Sequence, residues 1–476
     1  MNMKLMRLSL LVLTALAVTF SLAECAPAQA VTFLYHFTGT QGADQGSAAS
    51  IIQGTDGNFY GVGAGGANGL GRVFRMTPSG KLSTIYSFCS QPNCTDGYGP
   101  ISLILGSDGN LYGIAQLGGN ANNSGTFFRL TLGGKFAKLY TFCSESGCAD
   151  GTAPLRALQA SDGNFYGNTE YGGAGTYGTI FRISPSGEYK LMHAFCLTEA
   201  CPDGILPIYP PIEANDGNFY GAANTGGVNG AGVLYKLTPD GTFTVLYSLC
   251  ALPGCTDGFN PNAVVQDGNG TFFGTTGAGG LYGRGTVFEV TSTGQYTVLH
   301  SFDGVDGSLP TMGLTLANDG NLYGETELGG VAGLGSLFEI TSAGAYTSLY
   351  SFAPKGVEPF DGPLFQGTDG ILYGTTPWAT QGPCCYGTIF TLFNDLSPLV
   401  ETVPVAGKVG KKILILGNGL TGTTSVTFNG VSAEFTVESD TYIKATVPAG
   451  ATTGTVQVIT PTQTLNSNPA FQVLSQ

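Results

Sequence analysis

Two series of aspartates recur along the chain at intervals that could gather carboxylates around a metal ion. The first series precedes a glycine in every copy: Asp56, Asp108, Asp162, Asp216, Asp267, Asp319 and Asp369. The second series consists of Asp96, Asp150, Asp203, Asp257, Asp306 and Asp361. Asp in a turn commonly accepts hydrogen bonds from its own backbone. We therefore interpret both series as turn residues rather than calcium ligands, and we predict no metal site and no cofactor.

Histidines and glutamates are the remaining candidates for acid–base chemistry. The chain has three histidines, which do not form a cluster: His36, His193 and His300. Glycoside hydrolysis needs two carboxyl groups on opposite sides of one bond. Glu325 and Glu327 lie in one sequence repeat and Glu170 lies three repeats earlier, so we predict no catalytic residue.

Aromatic side chains in loops could instead stack on sugar rings, because they offer flat apolar area at low entropic cost. Five of them are the candidate ligand-binding residues: Trp378, Tyr386, Tyr98, Tyr171 and Tyr282. Trp378 is the only tryptophan of the chain and stands where other repeats have glycine. Packing within the loops is the alternative explanation for each of them.

Cysteines outside the N-terminal segment number ten, and eight of them form four copies of a C-x4-C pattern. The predicted disulfides join the pairs Cys89 and Cys94, Cys143 and Cys148, Cys196 and Cys201, and Cys250 and Cys255, with the adjacent Cys384 and Cys385 left over. A zinc site would need histidines or closer cysteine pairs in one place. The pattern favours local disulfides in an exported protein.

The elements that carry these residues follow from a repeat of about 50 residues, which is typical of propeller blades. An aromatic tetrapeptide begins seven times at intervals of 50 to 54 residues: Leu34, Ile85, Leu139, Met192, Leu246, Leu299 and Leu349. The Asp-Gly marker and a third marker that ends in Phe or Leu recur in step with it. Each repeat reads as four short strands, which predicts an all-β chain with a seven-bladed β-propeller over residues 31–394.

The two ends of the repeat array predict how the propeller closes. The mature chain begins with a lone fourth strand, Val31 to Phe37, and the seventh repeat lacks its fourth strand. Pairing this opening strand with Gly387 to Phe393 would leave no exposed sheet edge. An open solenoid is the alternative architecture, but it would need capping repeats. Within the ring, tight turns share one face and the variable loops share the other, so we expect any binding site on the loop face.

The N-terminal and C-terminal segments differ from the repeats. Residues 1–30 combine Lys4 and Arg7 with an apolar run and the motif Ala28-Gln29-Ala30, which predicts a signal peptide cleaved near Ala30. Lipidation at Cys25 is the alternative. Residues 397–476 are rich in Thr and Val and read as a small β-sandwich. No later segment is apolar enough for a membrane helix.

Both parts resemble known families. Runs such as Asp108-Gly109-Asn110-Leu111-Tyr112-Gly113 and Leu349-Tyr350-Ser351-Phe352 resemble the Gloeobacter/Verrucomicrobia (GloVer) tandem repeats of exported bacterial proteins. That resemblance implies export and surface association, and it carries no functional residues over. The segments Gly417-Asn418-Gly419-Leu420 and Val447-Pro448-Ala449-Gly450 look like an IPT/TIG immunoglobulin-like domain, which implies a spacer or interaction module.

Charge narrows the choice of partners. The formal net charge is −14, which disfavours nucleic acid. We expect a secreted, cell-surface or periplasmic monomer without catalytic activity, whose loop face binds a glycan or a cell-surface protein. A structural cell-surface spacer and a polysaccharide hydrolase or lyase are the alternatives.

Overall fold

The computed structural model describes residues 31–37, 48–352, 362–376 and 387–474. Within these ranges the chain consists of β-strands, turns and three short 3-10 turns, which confirms the all-β prediction. The 3-10 turns are Pro92–Cys94, Ser146–Cys148 and Pro253–Cys255. Frequent glycines interrupt the strands, so most elements are only a few residues long. No helix in the described ranges is long and apolar enough to cross a membrane.

The repeats fold into four-stranded antiparallel sheets, and we number the seven described sheets I to VII. Sheet I has β2 (Ala48–Gln53), β3 (Phe59–Gly63), β4 (Arg72–Met76) and β5 (Leu82–Ser87). Sheet II has β6 (Tyr98–Leu105), β7 (Leu111–Leu117), β8 (Thr126–Leu130) and β9 (Phe136–Thr141). Sheet III has β10 (Thr152–Gln159), β11 (Phe165–Tyr171), β12 (Thr179–Ile183) and β13 (Tyr189–Ala194). Sheet IV has β14 (Ile212–Glu213), β15 (Phe219–Ala223), β16 (Val233–Leu237) and β17 (Phe243–Ser248).

Sheets V to VII continue the pattern, and the last of them takes its fourth strand from the start of the chain. Sheet V has β18 (Phe259–Gln266), β19 (Phe272–Ala278), β20 (Thr286–Val290) and β21 (Tyr296–Ser301). Sheet VI has β22 (Thr315–Leu316), β23 (Leu322–Thr326), β24 (Ser336–Ile340) and β25 (Tyr346–Ser351). Sheet VII has β26 (Phe365–Gln366), β27 (Leu372–Thr376), β28 (Thr388–Leu392) and β1 (Val31–His36). As predicted, β1 pairs antiparallel with β28, with Val31 opposite Leu392 and His36 opposite Thr388.

Side-chain packing within each sheet explains why the sequence markers recur. The second glycine of the Asp-Gly-x-x-aromatic-Gly marker lies on the second strand, opposite an aromatic residue of the third strand. In sheet II, Gly113 pairs with Phe128, and a Cβ at Gly113 would lie 2.5 Å from the Phe128 ring. The phenylalanine ring therefore lies across the glycine, and any larger residue would displace it.

Neighbouring sheets are joined by contacts that repeat from seam to seam. A tyrosine of one second strand packs on the first aromatic residue of the next second strand, as Tyr112 does on Phe165 at 4.3 Å between ring centroids. A glutamine at the end of a first strand accepts a backbone N–H from the preceding sheet, as Gln159 does from Ser107 at 2.7 Å. Both contacts also join sheet VII to sheet I: Tyr373 packs on Phe59 at 4.4 Å, and Gln53 accepts from Thr368 at 3.0 Å.

The C-terminal region is a β-sandwich with its own core. Its strands are β29 (Glu401–Val403), β30 (Ala406–Lys408), β31 (Lys412–Leu416), β32 (Ser425–Phe428), β33 (Val431–Ser432), β34 (Phe435–Ser439), β35 (Tyr442–Thr446), β36 (Val456–Ile459), β37 (Thr464–Asn466) and β38 (Gln472–Leu474). Four-stranded sheets β29-β31-β35-β34 and β33-β32-β36-β37 enclose Val426, Ile443 and Phe471. The short strands β29, β30, β33 and β37 have only two or three residues each, too few to give a recognisable periodicity in the sequence.

The sandwich packs on one end of the seven-sheet domain. That end carries the turns between first and second strands, and we call it the turn end; the opposite end carries the loops between second and third strands and between sheets, and we call it the loop end. Thr441 Oγ1 donates to Thr55 O at 2.6 Å and Asn468 Nδ2 donates to Leu316 O at 2.8 Å. Leu414 joins the apolar cluster of sheets I and II. The sandwich therefore covers part of the turn end and makes no described contact with the loop end.

Candidate functional site

The aspartates of the Asp-Gly series act as turn caps. Asp108 Oδ1 accepts the backbone N–H of Asn110 at 3.0 Å, and Asp108 Oδ2 accepts from Asn110 Nδ2 at 2.7 Å and from the Tyr112 hydroxyl at 2.9 Å. This arrangement recurs in the other sheets with small variations. Burial and the Asp108 carboxylate raise the pKa of Tyr112 to about 12. The carboxylates thus hold the turn and its tyrosine, as the sequence analysis interpreted them.

The second aspartate series closes the loops between sheets. Buried Asp150 accepts the backbone N–H of Ser144 at 2.9 Å and of Glu145 at 3.1 Å, together with the Tyr140 hydroxyl at 2.6 Å. In the two sheets that have histidine instead of tyrosine, the imidazole takes the same place, with His193 2.9 Å from Asp203. His300 lies 2.7 Å from Asp306 in the same way. Asp361 lies outside the described residues.

Disulfides join all four C-x4-C pairs, each between cysteines five positions apart. The cysteines adopt positive φ values, for example 54° at Cys143 and 53° at Cys148. The bridges and the buried aspartates fix the same loops, so these loops are rigid parts of the loop end. Cys384 and Cys385 lie outside the described residues.

Three of the five predicted aromatic residues lie in the described ranges, on three different sheets. Tyr98 begins β6 and packs in the core cluster of sheets I and II, whereas Tyr171 ends β11 with 48% of its surface exposed. Tyr282 lies at a loop tip of sheet V and is 61% exposed. Trp378 and Tyr386 lie outside the described residues. Those two assignments therefore stay predictions, and the three placed tyrosines do not share a site.

The loop end contains a pocket of about 390 Å³ that the sequence analysis did not find. It is lined by Arg156, Ile208, Tyr209, Asn224, Asn260, Asn262, Gly277, Ala278, Leu309, Thr311 and Met312. These residues come from sheets III to VI, mainly from the first strands of sheets III and V and from the segments that precede β14 and β22. We call it the loop-end pocket.

Interrupted first strands create this pocket. The first strands of sheets II, III and V have eight residues, whereas β14 and β22 have two. In sheet IV the segment from Pro207 to Glu213 is one residue longer than Pro154 to Gln159 in sheet III, and it contains Pro210 and Pro211. Proline lacks the N–H that a ladder requires, so the backbone leaves the sheet there. This extra residue and the proline pair were the sequence signal for the pocket.

Tyr209 links the two interrupted segments across sheet V. Its hydroxyl donates to the backbone carbonyl of Thr311 and lies 3.4 Å from the Met312 sulfur. The Arg156 guanidinium lies 5.7 Å from the centre of the Tyr209 ring. Burial raises the pKa of Tyr209, and the nearby charges of Arg156 and Glu325 act on it in opposite directions. The tyrosine is therefore a neutral, fixed wall of the pocket.

Asparagines supply most of the polar lining. Asn262 Nδ2 donates to Thr275 Oγ1 at 3.0 Å and to Pro310 O at 2.7 Å. Asn260 Nδ2 donates to Asn224 Oδ1 at 3.0 Å and to Asn224 O at 3.1 Å. Since these amide hydrogens are used within the protein, the Oδ1 atoms of Asn260 and Asn262 remain as fixed acceptors.

The glutamates considered in the sequence analysis lie on different sheets. Glu325 is 3% exposed on β23, and Glu170 accepts a long hydrogen bond of 3.5 Å from Gln116 on the neighbouring sheet. None of the described residues that line the pocket carries a carboxyl, imidazole or thiol group. No group of three or more metal-binding side chains occurs in the part of the chain that the structure describes.

Several solved structures have a similar fold at low similarity. A gluconolactonase from Xanthomonas campestris is 12% identical, with 77% of this chain and 92% of that chain covered and a TM-score of 0.38. A protein of unknown function from Bacteroides thetaiotaomicron is 13% identical, with 77% and 76% covered and a TM-score of 0.41. A puromycin hydrolase mutant is 11% identical, with 70% and 51% covered and a TM-score of 0.42. Similarity at this level says nothing about activity.

Family comparison is more decisive. Comparison with curated protein sequences gives no significant match. Residues 397–473 match the IPT/TIG domain, in agreement with the sandwich. Residues 17–208 and 207–434 match the Gloeobacter/Verrucomicrobia repeat, which together is most of the chain. The chain therefore belongs to the Gloeobacter/Verrucomicrobia repeat family and carries a C-terminal IPT/TIG domain.

Proposed function

We propose that this chain is an exported, non-catalytic binding protein whose loop-end pocket takes a neutral carbohydrate. The observation that carries the proposal is the position of the pocket. It lies at the end of the domain opposite the sandwich, beside sheets IV and VI, whose first strands are shortened to two residues. Small ligands bind preferentially in concave pockets, and this pocket forms where the first strands depart from the regular repeat.

The scaffold in this proposal is a closed seven-bladed propeller whose blades are sheets I to VII. Its support comes from the seams: contacts of the same kind join successive sheets and also join sheet VII to sheet I. The chain enters the ring with β1 in sheet VII and leaves it from β28 of the same sheet. We place the propeller at residues 31–394 and the IPT/TIG domain at 397–476.

The chemistry of the pocket suits a sugar. Asn260 and Asn262 offer fixed acceptors for hydroxyl groups, and the Arg156 guanidinium lies 5.7 Å from the centre of the Tyr209 ring. Tyr209 and Met312 add apolar surface that matches the C–H face of a pyranose ring. Fixed polar groups favour affinity because little side-chain entropy is lost on binding. The predicted contacts of Trp378 and Tyr386 would extend the same end of the domain.

Export is supported by the four disulfides, which persist in oxidising compartments, and by the predicted signal peptide with cleavage near Ala30. The net charge of −14 argues against nucleic acid as the partner. A glycan or a cell-surface glycoprotein fits both features. A structural spacer remains the alternative if no ligand binds.

A polysaccharide hydrolase or lyase is the other alternative, and the pocket lining argues against it. Glycosidases need an acid and a second carboxylate within one cleft, and no carboxyl group lines the described pocket. Polysaccharide turnover that Glu325→Gln abolishes would overturn the non-catalytic assignment.

Blocking the pocket tests the proposal. We expect the mature chain to bind at least one neutral glycan in a soluble-glycan screen, and Ala278→Trp to weaken that binding at least about tenfold, or about 1.4 kcal/mol. Leu117→Trp is the matched control, because Leu117 ends the second strand of sheet II at the equivalent position but does not line the pocket.

Three outcomes are informative. Binding that survives Ala278→Trp but is lost in Trp378→Ala or Tyr386→Ala moves the site to the predicted aromatics. Equal losses in Ala278→Trp and Leu117→Trp contradict a specific pocket. A screen without any bound glycan or protein favours the spacer.

A further inference from the structure

A second cavity, of about 380 Å³, lies at the junction between the sandwich and the turn end. Residues from the first strands of sheets I to IV line one side, and residues 401–405 of the sandwich line the other. We call it the junction cavity. It lies at the opposite end of the domain from the loop-end pocket, so the inference below is independent of the proposed function.

Most of the polar groups of the junction cavity already have partners. Gln53 and Gln159 each accept a backbone N–H from a neighbouring sheet, at 3.0 and 2.7 Å. Glu213 accepts the backbone N–H and the hydroxyl of Ser161 at 2.8 and 2.5 Å. These three side chains are parts of the seams between sheets.

Glu401 is different. Its carboxyl group has no hydrogen-bond or ion-pair partner among the described residues, and no Lys, Arg or His of the described chain lines the cavity. Glu401 is partly exposed, and the surface around it is mainly apolar and includes Leu103, Leu158 and Ile212. Burial raises the pKa of Glu401 to about 7. An ionised carboxylate in such surroundings raises the free energy of the folded chain unless a cation pairs with it.

We propose that the junction cavity binds a small organic cation, a protonated amine carried on an apolar body. The ammonium group would lie against the Glu401 carboxylate, and the apolar body would pack on Leu103, Leu158 and Ile212. The cavity has room for a ligand the size of about a dozen water molecules at roughly 30 Å³ each. Pairing of the charges and burial of the apolar body then act together, which an inorganic cation cannot achieve.

Calorimetric titration of the mature chain with 2-phenylethylamine at mildly alkaline pH tests this inference. The neutral 2-phenylethanol has the same apolar body and serves as the ligand control. We expect saturable binding of the amine that is at least about tenfold tighter than binding of the alcohol, which corresponds to about 1.4 kcal/mol. Equal binding of the two compounds, or none of the amine at millimolar concentration, overturns the proposal and leaves a water-filled cavity.

Two variants locate the site. Glu401→Gln should reduce amine affinity at least about tenfold, since it removes the charge and keeps the shape. Glu434→Gln is the matched control, because Glu434 is an exposed carboxylate of the sandwich that does not line the cavity; its affinity should stay within about twofold. Retained affinity in Glu401→Gln, or an equal loss in both variants, contradicts the assignment. If Glu401→Gln does not fold, the amine and alcohol comparison on the unmodified chain decides alone.

Discussion

The turn end and the loop end of the seven-sheet domain come from the same repeats but differ in regularity. At the turn end, nearly every sheet has the same aspartate cap and the same seam contacts, and the sandwich rests on part of this surface. At the loop end, sheets I to IV lead into disulfide-closed loops, and the first strands of sheets IV, VI and VII are shortened to two residues. The repeated contacts therefore keep the turn end regular, whereas the loop end differs from sheet to sheet. The loop-end pocket forms in this variable part.

Glycine substitutions at the turn end give the largest expected effect. Gly370 has a φ of +88°, and a Cβ there would lie 2.4 Å from the backbone oxygen of Leu396. Gly217 occupies the same turn position in sheet IV with a φ of +75° and open space around it. We expect Gly217→Ala to cost about 1–2 kcal/mol for the left-handed backbone and Gly370→Ala to cost about 2 kcal/mol more through the clash.

Chemical denaturation of the two variants measures this difference. Similar losses in both would show that the segment after β28 does not constrain the turn end, and the contrast between covered and uncovered turns would fail.

Glu401 makes the covered end sensitive to pH. Its pKa is about 7 in the folded chain against 4.5 for an ordinary glutamate, so the folded state holds the proton more tightly. Stability should therefore be full below about pH 4.5 and fall as the pH rises to about 7, by at most about 3 kcal/mol, since one pKa unit corresponds to 1.36 kcal/mol. Thermal denaturation across this range should show the fall in the natural chain and a smaller one in Glu401→Gln. Parallel profiles would mean that water solvates the carboxyl group.

Loss of one disulfide tests how rigid the loop end is. Replacing Cys143 and Cys148 by serine opens a very short loop, so the loss in stability should be about 2 kcal/mol. Asp150 still caps the loop through Ser144 and Glu145, and limited proteolysis should detect at most a local opening. Cleavage that spreads into neighbouring sheets would show that the bridges hold the whole domain, which would make the two ends more alike.

Tyr235 gives the smallest effect, and it lies in the interior between the two ends. Its fully buried hydroxyl has no hydrogen-bond partner among the described residues, and the equivalent residue is phenylalanine in the other six sheets. Removing an unsatisfied hydroxyl should stabilise the chain, so we expect Tyr235→Phe to raise the unfolding free energy by about 1 kcal/mol. The reverse change, Phe181→Tyr, should lower it, and an unchanged melting temperature in both would indicate that water reaches this position.

Prediction from the sequence succeeded where a feature repeats and failed where it occurs once. The Asp caps, the four disulfides and the pairing of β1 with β28 followed from markers that recur at a fixed spacing. The loop-end pocket was missed, although Pro210-Pro211 and one extra residue in the first-strand segments of sheets IV and VI marked it, because this departure does not recur in every repeat. Tyr98 lies beside a loop, as its position in the repeat indicated, but its packing against the core of sheets I and II could not be predicted, because it depends on what the neighbouring sheet places against it.

The sequence by itself determined the number of repeats, the order of strands within each one and the family, because these depend on contacts between residues close together in the chain. Only the tertiary structure decided that Tyr209 would reach Thr311, that the sandwich would rest on the turn end through Thr441 and Thr55, and that Glu401 would face an apolar cavity. Each of these contacts joins residues roughly a hundred or more positions apart, or faces a surface made by several sheets. Local patterns carry no information about such distances, so the two candidate binding sites emerged from the fold and not from the motifs.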